Sequence, residues 1–385
     1  MNAHRASRLC VLFSVAGWVL AFAAPPSSAQ QPGRPARHVD PDSDHFQARF
    51  QVLQQTPSSE AFVFVDATSG IDTTNCGSSA QPCRTISQGL QRAREIRSGA
   101  HAGSVERVTI EIRPGTYAES ITVKLNGVRL RGAGTSLSSI VSPAGIAVLV
   151  SSALPVEFEG LTLVSQDSSA LHVVNNSAVA VRNCQFRDSR RGAGIFTGSV
   201  AQISSSTFSN NRVGIAASDD FSLILEGLVI TGVSRAQGSG LNVGDGVVGI
   251  HNSTISQTGT GIRSFQAGVY TLGGLTVANN GVGILTAAHS DLELLGETTI
   301  TGNGTGVFVD DESFAILFGA TVENNGTGIH VEGNSYLRLE ESIVRLNTTG
   351  VFFDLFAKGV FRQADVGNNG TDTATNRGGA FFTEP

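Results

Sequence analysis

Three phrases near the C-terminal end, NGTGVFVDD, NGTGIHVEG and NTTGVFFDL, begin at Asn303, Asn325 and Asn347. Each sets a carboxylate at the same step: Asp310, Glu332 and Asp354. If the phrases lie side by side, like charges stand about 5 Å apart, and their repulsion either raises a carboxyl pKa or calls for a divalent cation. An oxygen set suits a hard ion such as Ca2+, and the lone His330 is too little for zinc. Two positions earlier stand Phe308, His330 and Phe352. Aromatic rings there offer flat surfaces for sugar rings, and His330 with Glu332 on one strand forms a candidate acid/base pair. The plainer alternative is a solvated face whose charges discourage aggregation, with Phe308 and Phe352 covered by the terminal FFTEP or by a neighbouring chain.

Other candidates are weaker. Asp219 and Asp245 share a column on neighbouring repeats, and carboxyl groups about 5 Å apart suit a retaining glycosidase. Cys76 and Cys83 enclose the short loop CGSSAQPC, which lacks the paired spacing of a zinc site and reads as a disulfide in an oxidising compartment. Cys184 falls in a column of small residues with Ser206, Ser253, Ala320, Ser342 and Ala364, so it reads as a packed thiol. The spacing of His172, His251 and His289 gathers no metal site.

The elements that must position these residues are repeats. The pattern apolar-x-apolar followed by a small residue and a second apolar pair recurs with its last apolar residue at Leu163, Phe186, Phe208, Ile230, Ile255, Val277, Ile300, Val322, Val344 and Val366. A second anchor runs in phase as Gly194-Ile195, Gly214-Ile215, Gly240-Leu241, Gly261-Ile262, Gly283-Ile284, Gly306-Val307, Gly328-Ile329 and Gly350-Val351. Each period of about 22 residues therefore holds two or three short strands and no helix. Such a unit cannot bury its apolar face alone, but stacked copies can, each strand pairing in parallel with the next about 4.8 Å away. The fold expected is all-β: a right-handed single-stranded parallel β-helix over 108–370. The residue after each anchor glycine faces inward, and alternation turns the second and fourth outward. The column of Asn211, Asn280, Asn303, Asn325 and Asn347 reads as a corner of the coil, where Asn tolerates a left-handed turn and stacks as an amide ladder. On that reading the Asn-x-Thr matches to a glycosylation sequon are accidents of turn composition.

Ahead of the coil, residues 61–107 form an N-terminal cap. TISQGLQRAREIRSG has Ile86, Leu90, Ala93 and Ile96 near helical spacing, with Thr85 and Gln88 as a capping box. A helix there shields strand edges that would otherwise recruit other chains. Residues 30–60 mix Pro, Gln and charge without period and read as a flexible linker; 371–385 read as a C-terminal tail or cap. The first 29 residues have Arg5 and Arg8, an apolar run from Leu9 to Ala24 and small residues at Ser27 and Ala29, the pattern of a secretory signal peptide. This predicts a secreted, cell-surface or periplasmic protein without a membrane span. With 45 glycines, 15% charged residues and a net charge of −6, the chain has no electrostatic footprint for nucleic acid and none for steering an acidic polymer.

VDATSGIDTTNCGSSAQPCRTISQGLQRA followed by VTIEIRPGTYAESITV resembles the N-terminal cap and first rung of pectin-lyase-like proteins, and the 22-residue rungs resemble their β-helix repeats. The resemblance spans residues 62 to about 370. It implies the fold, and it implies a partner among extracellular or cell-wall polysaccharides. That superfamily includes lyases, hydrolases, esterases, epimerases and proteins without known activity, so fold does not decide chemistry. GTYAES resembles the first motif of pectin methylesterases. Ser168 and Ser169 stand where that family carries a catalytic Gln, and Arg190-Arg191 stands in place of its Gln-Asp pair. Asp219-Asp220 occurs without the Gly-His-Gly of polygalacturonases, and the long cleft-building loops of pectate lyases are reduced to the extended rung 232–247. Three functions stay open: a carbohydrate-binding coil, a polysaccharide lyase or glycoside hydrolase, and a structural surface protein or adhesin.

Overall fold

A repeat of three short strands exposes its edges until a copy pairs on either side, and this requirement shapes the whole molecule. The computed structural model describes residues 44–99, 105–232, 238–271 and 273–384. The expected signal peptide lies outside the described residues. The chain coils through about twelve turns of parallel β-solenoid with only two helices among those residues. Leu163, Phe186, Phe208, Ile230 and Ile255 align on successive turns, and Val277, Ile300, Val322, Val344 and Val366 continue the row. All ten are the residues picked out by the repeat.

Each interior turn contributes to three sheets. Ser169–Val174, Arg191–Phe196, Thr260–Phe265, Thr305–Val309, Thr327–Val331 and Thr349–Phe353 belong to the front sheet. A second sheet contains Ala178–Arg182 and Val200–Ser204, and a third contains Gln185–Arg187 and Thr207–Ser209. The core is the aliphatic row inside: Ile215, Leu241, Ile262, Ile284, Val307, Ile329 and Val351 are all inaccessible to solvent. One anchor needs correction. Ala193 pairs with Ile215 and Gly194 with Ala216, so the counterpart of Gly214 is Gly192. Gly-Ala-Gly offers two glycines, and the one followed by Ile lies two residues too late; Gly194 faces outward.

The asparagine column is an amide ladder, as its spacing implies. Asn280, Asn303 and Asn325 each donate through Nδ2 to the Oδ1 of the next Asn at 3.0 Å. The left-handed residues are their predecessors instead, Asn210, Asn279 and Asn324, with φ between 53 and 57°. The ladder residues point inward because their amides must satisfy corner carbonyls such as Val277 O and Ile300 O that would otherwise be buried without a partner.

At the N-terminal end, α2 (Ile86–Ser98) closes the coil, burying Ile86, Leu90 and Ala93. Thr85 Oγ1 accepts from the Gln88 N–H at 3.1 Å, but the Gln88 amide turns to Thr73 O, so only half the expected box forms. β1 (Glu60–Val65) pairs with Arg107–Ile112, and Cys76 is bonded to Cys83 with Cα atoms 4.9 Å apart.

Two boundaries differ from expectation. The stretch 30–60 contains α1 (Asp44–Gln54), which lies against the outer face of the second sheet. Phe50 and Leu53 pack on Ala178, Ala180, Val200, Val247 and Tyr270, and Arg49 donates to the carbonyls of Gly198 at 3.0 Å and Asp220 at 2.9 Å. Small outward residues make the seat. At the other end, Thr371–Thr375 and Ala380–Glu384 are strands that complete the last turn. Ala380–Glu384 therefore pairs with Lys358–Arg362, and Phe381 stacks on Phe361 and Phe353. No helix among the described residues is long and apolar enough to cross a membrane.

Candidate functional site

On the front sheet, register places Phe308 opposite His330 and His330 opposite Phe352. Their rings stack, with centroids 4.8 Å apart at 19° and 4.9 Å apart at 30°. Each ring thus covers much of its neighbour's face, and mainly edges are left for solvent. On the far side of Phe352 the in-register residue of the next turn is the small Ala374.

The carboxylates follow on the same strands. Asp310 N–H donates to Thr286 O, Glu332 N–H to Val309 O and Asp354 N–H to Val331 O, so the three stand on consecutive turns. Their environments differ sharply. Asp354 is 3% exposed, and Arg377 on the following turn holds both its oxygens, Nε donating to Oδ1 at 2.8 Å and Nη2 to Oδ2. That guanidinium keeps the Asp354 carboxyl below the usual range. The cation demanded by the acidic column is therefore supplied by the chain itself. Arg377 was legible only as the residue one turn beyond Asp354, in a stretch read as a tail.

His330 Nε2 lies 3.4 Å from Glu332 Oε2, shut off from solvent and without a hydrogen-bond partner. Burial pushes the His330 pKa down, against the opposing pull of Glu332, Asp354 and Asp310, and so favours the neutral ring. Among the described residues, the side chains that converge closely enough to share an ion are His330, Glu332 and Asp354, whose ligand atoms lie within 4.8 Å of one another. Asp310 is not among them; its Oδ1 accepts the N–H of Asp311 at 2.7 Å. With Asp354 bound to Arg377, only two of the three carboxylates expected to hold Ca2+ are free of a cation.

The remaining candidates lie elsewhere on the coil. Ser218 is paired with Gly244, after which the register shifts and two residues, Asp219 and Asp220, oppose the single Asp245. Asp219 Oδ2 accepts the Ser218 hydroxyl at 3.2 Å and Asp220 pairs with Arg49 at 3.2 Å. Cys184 is a buried free thiol whose pKa burial pushes up to about 12, which rules out a thiolate nucleophile near neutral pH.

A coil of stacked parallel turns with an inward amide ladder and chemistry confined to outward columns defines a β-helix, and the chain belongs to the right-handed β-helix family. That family's model, described as the right handed beta helix region, matches residues 144–296, 191–349 and 239–383. Among solved structures, the A-module of the Azotobacter vinelandii mannuronan C-5 epimerase AlgE4 is similar at 15% identity and a TM-score of 0.47, covering 78% of this chain and 94% of that one. The DFA-IIIase of Arthrobacter chlorophenolicus A6 without its lid is similar at 11% identity and a TM-score of 0.49, covering 84% and 94%. The pectate lyase Pel9A is similar at 15% identity and a TM-score of 0.44, covering 83% and 78%. At these identities the likeness is one of fold. No curated protein gives a match.

Proposed function

We propose that the protein is an exported β-helix that binds extracellular or cell-wall carbohydrate along its front sheet. The observation that carries this reading is the outward row Phe308, His330 and Phe352, stacked on three consecutive turns beside Asp310 and Glu332. Apolar ring edges next to carboxylate acceptors suit a sugar, which offers C–H groups on one side and hydroxyl donors on the other. The face of Phe352 toward the small Ala374 is the best stacking position for a sugar ring. The Cys76–Cys83 disulfide favours an oxidising compartment and supports export. A glycan-array comparison of wild type with Phe308→Ala and Phe352→Ala tests the reading. Loss of binding in Phe352→Ala with an unchanged melt supports it; unchanged binding in both variants refutes it.

A second reading, polysaccharide cleavage with His330 and Glu332 as the acid/base pair, draws on the solvent-shielded Nε2 beside Glu332 Oε2. Incubation with a panel of polysaccharides, with and without EDTA, decides it: unsaturated or reducing ends must appear in wild type and vanish in Glu332→Gln. If neither assay responds, the structural or adhesin role remains.

A further inference from the structure

Upstream of the aromatic row, the same front sheet has a depression made by its own sequence. Along one outward column the residues run His172, Gly194, Ala216, Asn242, Arg263, each paired in register with the next. Along the neighbouring column they run Phe196, Ser218, Gly244, Phe265. Bulky residues therefore flank two turns of small ones. The result is a cleft of about 310 Å3 with Ala216, Asn242 and Gly244 in its floor and Phe196 and Phe265 as end walls. The walls are three turns apart, about 14 Å at 4.8 Å per turn, room for one or two sugar rings.

Each wall carries an arginine. Arg191 lies over the Phe196 ring at 5.6 Å and Arg263 over the Phe265 ring at 5.2 Å. Among the described residues neither guanidinium is in an ion pair, although twelve other arginines are. Arg191 has only the Ser169 hydroxyl at 3.3 Å, and burial together with Arg190 works against its charge. The acidic residues nearby, Asp219 and Asp245, stand just beyond Ser218 and Gly244 at a bulge within the long strands Val213–Glu226 and Ser239–His251. Across the sheet the cleft thus has a cationic entering edge and centre and an acidic leaving edge.

We infer that this cleft is a separate binding site for an anionic glycan, one carboxylate or sulfate held by Arg191 at one wall and another by Arg263 at the other, with hydroxyls turned toward Asp219 and Asp245. Each guanidinium fork gives charge-assisted bonds to one planar or tetrahedral anion, and the phenyl ring beside it holds the fork in place. Recognition is local: a chain of net charge −6 does not draw acidic polymers from a distance. The inference rests on the carbohydrate reading for the nature of the ligand, but on different residues.

The test is titration of the full chain with polygalacturonate (a carboxylate source), chondroitin sulfate (a sulfate source) and neutral dextran. At least one anionic probe should bind better than dextran and lose affinity as NaCl is raised. Arg263→Gln, at an exposed position, and Arg191→Gln should each weaken it about ten-fold. Gly244→Leu fills the cleft without touching either arginine; an added Cβ meets nothing closer than Phe265 O at 3.5 Å, so the variant should fold and fail to bind. Equal affinity for dextran, full affinity in Arg263→Gln, or full affinity in Gly244→Leu overturns the inference. Dextran binding that disappears in Phe352→Ala while the anionic preference is absent overturns this site alone. Anionic binding that needs Arg263 but ignores Phe308→Ala and Phe352→Ala upholds it and removes the aromatic-row reading.

Discussion

Replacing Asn325 by Ala should cost the coil at least about 3 kcal/mol, the low end of the sum over the partners left behind. Asn325 Oδ1 accepts the backbone N–H of Asn303 at 2.9 Å and its Nδ2 at 3.0 Å. The Asn303 amide retains Val277 O and Thr301 O, both at 3.1 Å, so the true orphan is the Asn303 N–H. Asn325 Nδ2 also donates to Ile300 O, Glu323 O and Asn347 Oδ1, and those acceptors lose a donor. One buried unpaired N–H costs about 1–3 kcal/mol and each lost neutral bond about 0.5–1.5 kcal/mol, with Asn347 Oδ1 still accepting from Asn325 N–H. Asn369→Ala should cost about 1 kcal/mol, because that amide sits half-buried near the final turn where water replaces the lost bonds. Urea denaturation measures the difference, and hydrogen exchange reads it locally as lost protection of the Asn303 amide. Equal costs for the two variants, or an Asn303 amide as protected as before, would refute the ladder as a stabilising device.

Other outcomes follow from individual contacts. His330 has a folded pKa below its ordinary value, so the unfolded chain binds more protons and stability rises with pH up to about 6.5. His330→Phe should flatten part of that slope in pH-dependent melts, leaving the portions due to His172 and His251, which burial also lowers. Asp354 has a lowered pKa as well; its stabilisation is present above about pH 4 and lost as pH falls through the folded value, so Arg377→Ala should remove the step in acid titration. The same variant frees Asp354, and calorimetric titration with Ca2+ should give heat in Arg377→Ala and little in wild type; equal heats would mean that Arg377 does not fill the cation position. Cys76→Ser opens a short loop worth about 2 to 3 kcal/mol of cap stability and should leave the coil's own melt in place, whereas Cys184→Ser acts only through packing.

Much of this architecture was legible because its forces repeat. An apolar residue that must enter the core on every turn leaves a mark every 22 residues, and all ten row members from Leu163 to Val366 are paired as the spacing implied. The cap helix and the disulfide were visible for local reasons: Thr85 as an N-cap and two cysteines seven apart. Contacts made once left no such mark. The seat of α1 uses Ala178, Ala180 and Val200 on the outside of the coil, where alternation predicts solvent, and nothing in the stretch before residue 60 names that seat. The Asp354–Arg377 pair joins a strand to a residue that resembled a tail. The doubled glycine at Gly192 and Gly194 shifted one phase by two residues, which keeps Phe196 outward but sets it in the column of Arg263 and Phe308 instead of its true column with Phe265.

The inward and outward positions of the front sheet follow different rules, and this separation explains how one fold carries unlike sites in sequence along its axis. Inward positions are held by close packing: an added Cβ at Gly306 would lie 2.4 Å from Gly328 O, and at Gly328 2.6 Å from Gly350 O. Variation there is therefore costly on every turn. Outward positions meet only their neighbours one turn away, so a run of two or three turns can change character without disturbing the ladder beneath. The upstream run uses that freedom for arginines around a small-residue floor, and the downstream run uses it for a ring stack bordered by acids. The two are joined by Leu285 and Ala287, on the turn between Arg263 and Phe308. On the proposed sites, a ligand lying along the coil axis would meet cations first and carboxylates two turns later, so the order of its charged and neutral units would matter more than its length.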